Sequence, residues 1–241
     1  MVTGPQSLQA LGLSKSFPED GLLASLRGRK RLIFSGLSLV LAPGDFVCLH
    51  GPNGVGKSTF LRVLAGFLGP DRGRIQLGSE DLTPRGILRR RQVTLVSGEE
   101  RSFYWRLTCR ENLRFFTTIA RPDLSRGAVG ALVDEEIDRL GLTPFAGQRF
   151  GRLSSGFIQR AALARGFMAG RRFLLLDEAD RQHDTEARAM LLRRVSGLCL
   201  AGGAALWVTH RPEDLQGHST RSLVLSSGGL EDLEGGVPCG R

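Results

Sequence analysis

The strongest chemical signal lies in Gly51-Pro52-Asn53-Gly54-Val55-Gly56-Lys57-Ser58-Thr59. A glycine, four variable residues and then Gly-Lys-Ser is the spacing of a phosphate-binding loop. Its glycines let the backbone curl until successive N–H groups point at phosphate oxygens. A helix that begins at the loop adds partial positive charge at its N-terminus. Lys57 brings a full charge to β- and γ-phosphates, and the Ser58 hydroxyl is placed to hold Mg²⁺. The alternative is a glycine-rich turn that binds nothing, which neither the intact spacing nor its setting favours.

Two carboxylates form the second signal. Asp177 and Glu178 follow the apolar run Phe173-Leu174-Leu175-Leu176. Such a run reads as a buried parallel strand, and its C-terminal edge is where a phosphate loop also lies. There Asp177 can hold Mg²⁺ and Glu178 can polarise an attacking water. An acidic pair at a helix N-terminus is the competing reading. His210 follows a further apolar run, Ala205-Leu206-Trp207-Val208, and from there can reach a γ-phosphate and orient the water. The third signal is Leu153-Ser154-Ser155-Gly156-Phe157-Ile158-Gln159-Arg160 at the start of a helix. Its hydroxyls and N–H groups make a second phosphate-binding surface, or simply a helix cap.

These groups need elements to hold them. Residues 45–50 read as the strand entering the loop and 59–65 as the helix leaving it, with Gly69-Pro70-Asp71 as the helix stop. Residues 7–17 and 32–42 alternate in part and read as antiparallel strands, separated by a basic excursion at 18–31. Strands are expected at 73–78 and 92–96, and helices near 110–119, 127–140 and 154–168. A helix near 185–199, a strand at 205–209 and a closing hairpin around Gly228-Gly229 complete the alternation.

The length of 241 residues suits one compact domain over 1–241, with helical residues inserted at about 100–168. No apolar run is long enough to span a bilayer, and the first ten residues lack a signal-peptide pattern. Cys48, Cys109, Cys199 and Cys239 lack metal-ligand spacing and suit a reducing compartment. The net charge of +9 is unusual, with basic clusters at Arg27, Arg29, Lys30 and Arg31 and at Arg85, Arg89, Arg90 and Arg91. They suit an anionic membrane, a nucleic acid, a nucleotide, or no partner beyond water.

Taken together, the motifs and their order resemble the ATP-binding cassette family over nearly the whole chain. Residues 153–160 look like its LSxGxxQR signature. The fold this implies is α/β: a P-loop NTPase core of mainly parallel sheet flanked by helices, with an antiparallel β layer and an inserted helical subdomain. The resemblance implies ATP and Mg²⁺ as cofactors and two cassettes paired head to tail. ATP then lies between the phosphate loop of one copy and Ser154, Ser155 and Gly156 of the other, with Gln159 in the same nucleotide-binding set. A single loop and a single signature imply a dimer, expected to be a homodimer. Phe17 fits the family's adenine-stacking aromatic or a strand-end core residue. Lys57, Glu178 and His210 are the expected catalytic groups. Glu99 is the nearest counterpart of the family's metal-contacting glutamine, so it joins Ser58 and Asp177 as an expected metal ligand. Further departures are Ala179 in place of a proline and Arg181-Gln182-His183-Asp184 in the loop beyond.

The resemblance further implies a separate membrane permease, a cytoplasmic position on the inner face of the cell membrane, and no nucleic acid. Ser102-Phe103-Tyr104-Trp105-Arg106-Leu107-Thr108, followed by Arg110-Glu111-Asn112-Leu113, occupies the region where the family docks a permease, and exposed aromatics beside arginines suit such a contact. The same rings folded inward are the alternative. This stretch resembles ATPase subunits of exporter-type permeases, so export is expected. The competing reading is a cassette ATPase with a soluble partner in nucleic-acid, ribosome or iron–sulfur work, which the +9 charge favours.

Overall fold

The computed structural model describes residues 6–19, 29–84, 86–97, 102–179 and 185–233. Glu99, Arg85, Cys239, Arg181-Gln182-His183-Asp184 and most of the 18–31 excursion lie outside these residues.

Two sheets frame the molecule. β1 (Leu8–Pro18), β2 (Lys30–Leu41), β4 (Arg72–Leu77) and β5 (Glu80–Asp81) form an antiparallel layer in the order β2-β1-β4-β5. The six-stranded sheet runs β10-β9-β3-β8-β7-β6. Its members are β3 (Phe46–His50), β6 (Val93–Ser97), β7 (Phe173–Asp177), β8 (Ala204–Val208), β9 (Arg221–Ser226) and β10 (Gly229–Leu233). All neighbours there are parallel except the β9–β10 hairpin.

β7 and β8 are buried at every position, and β3 at all but its last residue, because the sheet is covered on both faces. Phe46, Cys48, Leu174, Leu176, Ala205 and Trp207 belong to one core, with Phe46 and Trp207 stacked at 6.0 Å. The alternate residues Val47, Leu49, Phe173, Leu175, Leu206 and Val208 face a second core. That core also takes the antiparallel layer and α1 (Lys57–Leu64), with Phe34 edge-on to Phe60 at 5.7 Å.

Between β6 and β7 come α3 (Cys109–Ala120), α4 (Arg126–Arg139) and α5 (Ser155–Met168). α3 starts on a reciprocal cap. Thr108 Oγ1 accepts from the Glu111 N–H, and Glu111 accepts from the Thr108 N–H at 2.8 Å. α6 (Thr185–Leu200) then leads into β8.

Three expectations need correction. The helix after the loop ends at Leu64, one residue from its expected end, but its stop is Gly66 and not Gly69-Pro70-Asp71, because Gly66 turns to φ 80° and the Phe67 and Leu68 N–H groups both return to the Arg62 carbonyl. The basic run at 86–92 is a helix, α2 (Gly86–Gln92), and Arg89 is no surface cation. It is 2% exposed, and its guanidinium donates to the carbonyls of Leu82 and Thr83 at 2.5 and 2.6 Å. Phe103 is buried, stacked on Phe150 at 4.2 Å, with the Arg165 guanidinium 4.6 Å above its ring. Tyr104 and Trp105 are half-exposed.

Candidate active site

The loop from Gly51 to Gly56 joins β3 to α1 at the C-terminal end of the parallel strands. At two positions close approach demands glycine. A Cβ on Gly51 would lie 2.2 Å from the Leu225 carbonyl oxygen, and one on Gly56 would lie 2.8 Å from Ile33 Cγ2. Both residues have positive φ, 145° and 108°. The loop is thus clasped between β9 and β2.

Lys57 opens α1 and is 6% exposed. Its ammonium donates to the carbonyls of Gly51 at 2.7 Å and Pro52 at 3.0 Å. Burial pushes its pKa down, against the pull of the nearby Glu178 and Asp177 carboxylates. Ser58 Oγ donates to Asp177 Oδ1 at 3.1 Å. Asp177 ends β7 and is 7% exposed, and burial raises its pKa while the Ser58 hydrogen bond opposes that rise. Two hard oxygen donors therefore converge beside the loop, the donor type Mg²⁺ requires.

Glu178 has φ 51°, the one non-glycine residue with positive φ among the described residues. Its N–H donates to the Val208 carbonyl at 3.0 Å, which holds the turn. This conformation is costly for a side-chain-bearing residue and marks functional positions. The turn brings Glu178 Oε1 within 2.7 Å of His210 Nε2. Sheet register explains the meeting, because Asp177 lies opposite Val208, two residues before His210.

Lys57, Ser58, Asp177, Glu178 and His210 are therefore gathered on one sheet edge. Ser154, Ser155 and Gly156 stand elsewhere, at the N-terminus of α5, with no hydrogen bond to the loop among the described residues. Ser154 and Ser155 are exposed, and Ser154 makes no side-chain capping bond, so capping does not account for it. Gln159 departs from the expectation. It is 3% exposed and donates to the Ser97 carbonyl at 3.3 Å, tying α5 to β6. Five residues on from Ser154, it lies roughly 140° around the helix, toward the interior. Phe17 is half-buried near the end of β1, with Lys15 Nζ 5.4 Å from its ring centre.

Two groups escaped the sequence reading. In sequence Asp71 reads only as part of a helix stop, yet its carboxylate accepts from the Ser16 N–H and hydroxyl at 2.6 and 2.7 Å and from Lys15 at 2.9 Å. Thr209 is 1% exposed, its Oγ1 accepts from the Arg211 N–H at 3.0 Å, and its N–H donates to Leu49 O at 3.3 Å. It fixes the turn that carries His210. Nothing in composition flags either one, because their partners are backbone groups or distant in sequence.

A phosphate loop at the C-terminal edge of a parallel sheet, facing an aspartate–glutamate pair on the neighbouring elements, defines a P-loop nucleoside triphosphatase. Residues 34–181, more than half the chain, match the ABC transporter family. The chain belongs to that family. It is 38% identical over 191 residues to the thiamine import ATP-binding protein ThiQ of Cereibacter sphaeroides, covering 78% of this chain and 80% of the relative. It is 36% identical over 200 residues to the cytochrome c biogenesis ATP-binding export protein CcmA of Rhizobium meliloti, covering 83% of this chain and 94% of that one. In fold it is similar to a dimeric ATP-binding cassette, MJ0796, in a post-hydrolysis state bound to ADP and Pi. The TM-score is 0.80 at 21% identity, over 95% of this chain and 99% of that one. The protein is thus an ATP-binding, ATP-hydrolysing subunit of a transporter.

Proposed function

We propose that Lys57, Glu178 and His210 carry the hydrolysis, that the Gly51–Thr59 loop and Phe17 hold ATP, and that Ser154, Ser155 and Gly156 complete the site of a second, identical copy. The 2.7 Å approach of Glu178 to His210, beside the Ser58–Asp177 pair, carries this reading. Lys57 is buried with two neutral carbonyls as its hydrogen-bond partners, so a phosphate oxygen would supply an anion in direct hydrogen-bond contact. Ser58 and Asp177 are the groups to hold Mg²⁺, with Glu99 as a third candidate, and the ion would neutralise charge on the phosphoryl group. Glu178 accepts a proton from the attacking water, and His210, hydrogen-bonded to it, orients that carboxylate. Residues 1–241 act as one cassette, with α3, α4 and α5 as its inserted helical subdomain.

The partner is a membrane permease, and the cassette sits on the cytoplasmic face of the membrane. No helix among the described residues is long and apolar enough to cross a membrane. Tyr104, half-exposed and edge-on to Phe115 at 5.0 Å, and Trp105 supply the contact surface. Export is the direction we favour, supported by the near-complete coverage of the CcmA export proteins. ATP bridging two copies closes them, and hydrolysis removes the bridge.

Steady-state ATPase assays of the chain with its permease test the catalytic part. Glu178→Gln is expected to lower kcat about 100-fold or more while ATP still binds. Turnover equal to that of the unaltered chain would assign the base to another group.

A further inference from the structure

A second cationic site lies at the opposite end of the sheet from the phosphate loop. Arg171 precedes β7 by two residues, whereas Asp177 ends that strand. At the rise of an extended chain the two lie roughly 20 Å apart. Beside Arg171 the end of α2 brings Arg91, and the end of α3 brings Arg121. The three arginines line an open cavity of about 540 Å³, within the size range of ligand sites.

The arrangement is built into the backbone. Gly170 adopts φ 63°, and a Cβ there would lie 2.7 Å from Arg121 Nη1, so the glycine makes the room that this guanidinium fills. Arg121 is oriented by Asp123, donating from Nε at 3.0 Å and from Nη2 at 2.8 Å. Arg171 is steadied by donating from Nη2 to the Ala120 carbonyl at 3.2 Å. Arg91 is exposed at the mouth. Asp123 is the one carboxylate in the lining, so three positive charges meet one negative and a net of two remains. The three cations also feel one another. The Arg171 pKa is pushed down first by burial, then by the charges of Arg121 and Arg91. Holding like charges together is unfavourable until an anion joins them.

We infer that this cavity is an anion-binding site for a phosphate group, separate from the nucleotide site. Planar guanidinium forks match phosphate through paired N–H···O bonds, and phosphate carries the two negative charges that balance the net charge of the lining. It arrives either as a small soluble phosphate or as the headgroup of an anionic phospholipid. Ile119 at the cavity is 64% exposed and Phe115, one turn earlier on α3, is 40% exposed, an apolar margin that would meet the acyl chains of a lipid while leaving a soluble phosphate unhindered.

The test uses the full chain with its nucleotide site saturated by a non-hydrolysable ATP analogue, so that phosphate cannot enter the loop. Inorganic phosphate is titrated calorimetrically at constant ionic strength. In parallel, flotation is measured with vesicles of phosphatidylcholine alone and with added phosphatidylglycerol. Arg91→Gln/Arg171→Gln is expected to weaken one of these interactions about tenfold. Loss of phosphate binding assigns the soluble source, and loss of phosphatidylglycerol-dependent flotation assigns the headgroup. Arg72→Gln/Arg74→Gln, which removes two exposed arginines from β4, serves as the equal-charge control. Arg91→Gln alone keeps the test readable if the double variant fails to fold. The proposal is overturned if neither interaction changes, or if the β4 pair weakens the same interaction as much. None of these readouts involves hydrolysis, so failure here leaves the catalytic assignment standing.

Discussion

At the level of single residues, the site is held by polar groups that position one another. Ser58 orients Asp177, Glu178 is bent to meet His210, and Asp71 pins the stretch of β1 that carries Phe17. Asp71 gives the clearest pH signature. Hydrogen bonds from the Ser16 hydroxyl and Lys15 pull its carboxyl from the ordinary 3.8 down to about 2. A carboxyl depressed in the folded state contributes stability that is present above about pH 4 and is lost as pH falls toward 2. Asp71→Asn is therefore expected to lower thermal stability at pH 7 and to leave stability near pH 2 almost unchanged. Equal losses at both pH values, followed by circular dichroism, would show that the carboxylate charge is not the operative group. With its anchor gone, β1 holds Phe17 less firmly, so on the proposed stacking of Phe17 against adenine ATP affinity is expected to fall about two- to fivefold, within the roughly 1 kcal/mol of a lost hydrogen bond.

At the level of elements, the sequence was most readable where a pattern has one physical cause. Five apolar residues in a row, as in β8, mean burial on both faces, and the strand edge then places whatever follows it. That is why Asp177, Glu178 and His210 could be read from spacing together with the loop. Elements whose role depends on distant backbone groups were not readable. Arg89 looks like any cation of a basic run, because the carbonyls of Leu82 and Thr83 that bury it have no side-chain signature. Gln159 belongs to a recognisable motif, yet helix rotation turns it away from the serines it follows. Phe103 reads like its exposed neighbours Tyr104 and Trp105, and only the folded position of Phe150 separates them.

The contact between α4 and α6 is a second such case, and it yields a stability prediction. Glu136 is 1% exposed and accepts from Arg194 at 3.1 and 2.7 Å, while Arg139 stands 3.7 Å away. Burial pushes the Glu136 carboxyl up, and the Arg194 guanidinium opposes that push. Arg194→Met leaves a buried carboxylate without its main partner and is expected to cost about 3–5 kcal/mol. Adding Glu136→Leu removes the stranded charge and is expected to recover most of that loss. Urea unfolding of the two single variants and the double variant closes the cycle. Additive losses would mean that the pair is not coupled.

At the scale of the whole molecule, the proposed nucleotide-contacting groups stand at two separate places on the chain. The loop, Asp177 and Glu178 lie on the edge of the parallel sheet, whereas Ser154 and Ser155 are exposed at the tip of α5. With no hydrogen bond joining these groups within the described residues, a second copy is the natural source of the missing half. On the proposed reading, ATP holds two copies together and its hydrolysis releases them. Glu178→Gln is expected to bind ATP without cleaving it, and so to shift the chain from monomer to dimer in size-exclusion chromatography with light scattering. ADP is expected to leave it monomeric. Adding Ser155→Arg, which puts bulk and charge at an exposed α5 position, is expected to abolish the ATP dimer while leaving ATP binding by each monomer within about threefold, since the phosphate loop is intact. A dimer that survives Ser155→Arg would place the second copy on another surface, and Ser154, Ser155 and Gly156 would lose their role at the γ-phosphate.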